Sequence, residues 1–120
     1  MPGEGIPSLK GDYRPEEHNV RMLLNVIMPH EPFNTLVRAG TAGATIGKIL
    51  EQIRPEAAYF TEQHGHRSAL LVVNVQDPSE VPALAEPWFL NFEADCRFRI
   101  VMTPEDLARA GLEELGSRWG

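Results

Sequence analysis

Three runs of the chain are short, apolar and bounded by charge, glycine or proline, which is the pattern of strands in a packed sheet. They are Arg21 to Met28 (RMLLNVIM), Arg67 to Val75 (RSALLVVNV) and Glu93 to Met102. Glu56 to Gln63 alternates well enough to be a fourth, with Gly65 in His64-Gly65-His66 supplying a hairpin turn. Between the first two strands the period changes. Phe33, Leu36, Val37, Ile46, Leu50 and Ile53 recur at spacings of three and four, which predicts one helix from Pro32 to Ile53, ended by Arg54-Pro55. Asp77-Pro78-Ser79-Glu80 has a capping residue, proline at the first helical position and a glutamate three after the cap, so a helix is predicted from there to about Pro87. Thr103-Pro104-Glu105-Asp106 repeats that grammar and opens a C-terminal helix with Leu107, Leu112 and Leu115. The order is βαββαβ plus a helix, an α+β domain over residues 21–116.

Residues 1–20 differ. They are rich in proline and glycine and almost free of large apolar side chains, so they read as an N-terminal arm or tail.

Strand alternation divides the sheet into two faces. Leu24, Val26, Met28, Ala69, Leu71, Val73, Phe98 and Ile100 form an apolar set suited to cover by helices. The opposite set mixes Leu23, Ile27, Leu70 and Val72 with Asn25, Tyr59, Thr61, Gln63, Asn74, Arg97 and Arg99. That face is too apolar for water and too polar for a dry core. Packing against a second copy around a polar cavity satisfies both conditions, so a homodimer through this sheet face is expected. No acidic side chain is expected on that face within the four strands.

The element order, the segment LLVVNVQDPSEVPAL and the Glu86-Pro87-Trp88-Phe89-Leu90-Asn91-Phe92 run before the last strand resemble the ferredoxin-like dimeric α/β-barrel superfamily. Within it the chain is most similar to the muconolactone-isomerase-like group, over roughly residues 21–102. The resemblance implies a ferredoxin-like four-stranded antiparallel sheet and a dimeric barrel enclosing a small molecule. The superfamily also holds monooxygenases of the antibiotic-biosynthesis type, haem proteins and many members without an assigned activity, so fold alone transfers no chemistry.

Composition narrows the partners. Apolar residues are 42% and charged residues 23%, as in ordinary globular domains. A net charge of −6 argues against nucleic acid or an anionic membrane as partner. No apolar run approaches the roughly 18 residues of a membrane helix, and no signal-type stretch opens the chain. A cytoplasmic location is the simplest expectation.

Candidate chemistry is sparse. Arg97 and Arg99 share one strand face and suit a ligand carboxylate, or else a solvent-facing or dimer-bridging role. Tyr59, Asn25 and Asn74 on that face can orient a ligand, with Tyr59 a candidate general acid, or can satisfy one another across a dimer. His64 and His66 beside Glu62 are candidates for a general base, and an H-x-H pair can also ligate metal. Here they flank a glycine turn, and no metal is expected. Trp88 and Phe89 can wall an apolar pocket or serve as core. Gly40, Gly43, Gly47 and Lys48 fail the phosphate-loop spacing, and no cofactor motif is present; those glycines read instead as points of close helix approach. Cys96 alternates with Phe98 and reads as a buried thiol rather than a nucleophile. The expected function is binding of a small anionic or aromatic molecule in a dimeric barrel, with cofactor-free isomerase-like chemistry on a small organic acid or lactone. The alternative is a non-catalytic binding or accessory domain.

Overall fold

The computed structural model of the protein describes residues 19–120. The N-terminal arm assigned to residues 1–20 therefore lies, save its last two positions, outside the described residues. Strands β1 (Val20–Met28), β2 (Ala57–Gln63), β3 (His66–Val75) and β4 (Asp95–Ile100) form one four-stranded sheet in the order β2-β3-β1-β4. Every neighbouring pair is antiparallel. The helices are α1 (His30–Ala39), α2 (Ala42–Ile53), α3 (Val81–Phe92), α4 (Pro104–Arg109) and α5 (Leu112–Trp119). The result is an α+β open sheet compatible with a ferredoxin-like arrangement. Among the described residues no helix is long and apolar enough to cross a membrane.

The core lies where alternation puts it. Leu24, Val26 and Met28 of β1 and Ala69, Leu71, Val73 and Val75 of β3 are buried on one face of the sheet. Phe33 of α1, Ile49 of α2 and Leu84, Trp88 and Phe92 of α3 pack over them. The register aligns Leu24 with Leu71 on one side and with Phe98 on the other, so the central strands carry a continuous apolar strip. Burial of this strip is the main term holding sheet and helices together.

Four sequence expectations need correction. The helix predicted over residues 32–53 is two helices, because Gly40 adopts the left-handed conformation at φ 77° and its N–H bonds the Leu36 and Val37 carbonyls, ending α1. The third helix does not stop at Pro87. It begins after a 3-10 turn at Pro78–Glu80, capped by the Asp77 carboxylate accepting from the Ser79 N–H, and runs through Pro87 to Phe92. Proline forfeits one helical hydrogen bond, and burial of Trp88 and Phe92 beyond it offsets that loss. The C-terminal helix divides at Gly111, φ 72°, into α4 and α5, the first of them opened by a reciprocal Thr103–Asp106 capping box. Finally, Gly43 and Gly47 do not serve close helix packing, since a side chain at either would meet open space.

Candidate functional site

Helices α1, α2 and α3 pack on one face of the sheet, and the site is built from the opposite face, which is open among the described residues. The register sets its rungs. Ala57, Val72, Leu23 and Arg99 lie side by side across the four strands, and Tyr59, Leu70, Asn25 and Arg97 form the next rung. Thr61, Ser68, Ile27 and Asp95 form the third. Leu23, Ile27, Leu70 and Val72 are only half-buried among the described residues.

A depression of about 280 Å³ lies on this face, with Leu23, Leu70, Asn25, Gln63, Arg97 and Arg99 among its lining residues. Its floor is held by an amide pair. Asn25 Nδ2 donates to Gln63 Oε1 at 3.0 Å, and Gln63 Nε2 donates back to Asn25 Oδ1 at 2.6 Å. The two residues stand on β1 and β2, with β3 between them, and Ser68 lies midway on the strip they span. Ser68 is 1% exposed, and its hydroxyl has no partner among the described residues.

The guanidinium groups differ. Arg97 Nη2 is 3.2 Å from the Asp95 carboxylate, and both side chains are exposed. Asp95 thus overturns the expectation of a face free of acidic residues: it precedes Arg97 by two positions in β4, so alternation projects both to the same side. Arg99 has no carboxylate within 4 Å among the described residues. Arg99 is therefore the guanidinium of the depression that no described carboxylate pairs. At the far end of the face Glu56 accepts from Arg21 Nε at 2.9 Å and from Asn74 Nδ2 at 3.1 Å. Those bonds, with the positive charge of Arg21, hold the Glu56 carboxyl below its ordinary range.

Of the residues singled out from sequence, Asn25, Arg97 and Arg99 meet in the depression. Tyr59 shares their rung and is 66% exposed, but does not line it. Asn74 is engaged with Glu56 at the other end. Trp88 is fully buried in the core beneath the opposite face, and Phe89 lies half-exposed on the same helix, so neither walls this site. His64 sits in the hairpin turn at φ 55°, while His66 stacks on His30 with ring centroids 4.6 Å apart. His66 borders a separate hollow with Ile27, Glu93 and Asp95, the last of which also pairs with Arg97. Among the described residues no three His, Cys, Asp or Glu side chains are grouped to hold a metal ion. Cys96 is half-buried, and burial, then the charges of Asp95 and Glu86, push its thiol up to about 11. Such a thiol is not an activated nucleophile.

Sequence reasoning placed Gln63 on the correct face but gave it no role. Its amide pairs with a residue two strands away, and only the register reveals that. The depression as a whole offers amides, a hydroxyl from Thr61, two guanidinium groups and apolar sides, which together suit a small molecule with an anionic end. No protein-family model, no curated protein and no solved structure matches this chain.

Proposed function

We propose that this chain is a small-molecule-binding domain of the ferredoxin-like dimeric α/β-barrel kind, taking a small organic anion on its open sheet face. The observation that carries the reading is the placement of Arg97 and Arg99 beside the Asn25–Gln63 amide pair, in a depression flanked by Leu23 and Leu70. Two guanidinium groups give a carboxylate its counter-charge, and the amide pair is a fixed polar neighbour whose geometry is set before any ligand arrives. The half-buried Leu23, Ile27, Leu70 and Val72 support pairing of this face with a second copy, which would roof the depression and strengthen its electrostatics by excluding water.

The described side chains of the lining are amides, a hydroxyl, guanidinium groups and hydrocarbon, which suit binding directly. An isomerase acting there on an organic acid or lactone would draw its proton-transfer group from Tyr59, which stands on β2 opposite Leu70, or from the partner copy.

The test has two parts. Sedimentation velocity at micromolar concentration reports whether the chain is dimeric, and a thermal-shift series with small aliphatic and aromatic acids reports binding. A stable monomer that no acid stabilises defeats the proposal.

A further inference from the structure

The other side of the sheet carries a second opening. Where α1 and α2 meet the β2–β3 hairpin, a groove of about 420 Å³ is walled by Met28, Phe33, Ile46 and Phe60, with Thr61, Ser68 and Arg67 completing its lining. Alternation assigns Phe60 to the helix-covered face, opposite Ala69, yet its side chain is 51% exposed, because the helices do not extend over the edge strand β2. The Arg67 guanidinium lies 4.5 Å from the centroid of the Phe33 ring. Its Nη1 is shut off from solvent and has no acceptor among the described residues. The carboxylate nearest in register is Glu62, directly across from Arg67. That carboxylate instead accepts from the Gly65 N–H at 3.0 Å, closing the hairpin turn.

We infer that this groove is a second binding site, for a carboxylate bearing an apolar tail. A buried guanidinium N–H without an acceptor is costly, and a ligand carboxylate is the group that satisfies charge and hydrogen bond together. Stacking on Phe33 holds the guanidinium in place, so little side-chain freedom is lost on binding. The tail replaces water against Met28, Ile46 and Phe60, and the volume falls within the range of about 300–1,000 Å³ usual for small-molecule sites. This site is on the opposite face of the sheet from the Arg97–Arg99 depression and stands whether or not that reading holds.

The test uses the full chain carrying Arg97→Met and Arg99→Met, so that the depression on the open face contributes no guanidinium. Sodium octanoate is titrated and followed by methyl and amide NMR shifts at Met28, Ile46 and Phe60, with octanol as the probe lacking a carboxylate. Saturable shifts at those residues are expected, with octanol binding about tenfold or more weakly, the difference a charge-assisted pair makes. Adding Arg67→Met lowers octanoate affinity by a similar factor and leaves octanol unchanged. If that variant does not fold by circular dichroism, Ile46→Trp, which fills the groove from α2, takes its place and abolishes the shifts at Met28 and Phe60. Octanoate shifts that do not saturate, that map away from the groove, that keep their affinity after Arg67→Met, or that persist after Ile46→Trp overturn the inference.

Discussion

Asn25 and Gln63 stand on strands that do not touch, yet their amides bond to each other in both directions over the intervening β3. Each member satisfies the other, so removing one strands its partner's amide on a half-covered surface. Asn25→Ala and Gln63→Ala are each expected to destabilise the fold by about 1 kcal/mol, and the double variant by clearly less than their sum. Urea denaturation of the four proteins measures the coupling. Strict additivity would mean that the pair contributes nothing as a pair.

Val72 lies on the open face beside Leu23 and Ala57. In the dimer proposed above, Val72→Asp buries a carboxylate without a partner and weakens self-association by about 3–5 kcal/mol. Sedimentation velocity is the measurement. An unchanged dimer after this substitution places the interface elsewhere.

Arg99 has no carboxylate partner among the described residues, whereas Arg97 has Asp95. Arg99→Met is therefore expected to remove most of the thermal stabilisation given by small acids, and Arg97→Met less. Both variants keep the melting temperature of the ligand-free protein within a few degrees, since exposed charges contribute little to stability. A larger loss of acid binding from Arg97→Met would reverse the assignment of the main anion contact.

Glu56 links stability to pH. Bonds from Arg21 and then Asn74 lower its folded-state pKa, so the unfolded chain binds the proton more readily. The stabilisation is present above the unfolded pKa of about 4.3 and is lost as pH falls through the lower folded value. Glu56→Gln is expected to be less stable than the parent at neutral pH, with the gap closing in acid. Denaturation midpoints at several pH values test this. A gap that widens in acid would mean the sign is wrong.

The Cys96 thiol, raised to about 11, is expected to react slowly with iodoacetamide at neutral pH, with a rate still climbing beyond the range where an ordinary thiol has levelled off. A rate that plateaus near pH 8.5, the unperturbed thiol range, would indicate an environment more polar than burial beside Ala85 implies.

Much of this was legible in the sequence, and the rest was not for identifiable reasons. Strict period-two alternation placed Leu24, Leu71 and Phe98 on one face and Leu23, Asn25, Arg97 and Arg99 on the other, and the register agrees. The apolar spacing resumes almost in phase after Gly40, so periodicity alone does not show the break there. The local cost of Pro87 is evident from sequence, whereas the burial of Trp88 that outweighs it is a tertiary fact. Asp95 follows from the same alternation as Arg97 once the strand is extended by two residues, whereas the bond that gives Gln63 its role joins it to a residue two strands away, which alternation does not encode. The groove at Arg67 depends on how far the helices extend over β2, which no periodicity encodes.

The order β2-β3-β1-β4 leaves two strands at the margins of the sheet among the described residues, and they are unlike each other. β4 reads Asp95-Cys96-Arg97-Phe98-Arg99-Ile100, a charge at every second position, which discourages a foreign strand from docking alongside. β2 carries Tyr59 and Phe60 in succession, both largely exposed, and its sole charged residue is Glu62 near the turn. Solubility at high concentration is thus protected on one flank only. Fibrous or amorphous association of this protein should begin along β2, and a lysine at Thr61 would suppress it where a lysine in β4 would not.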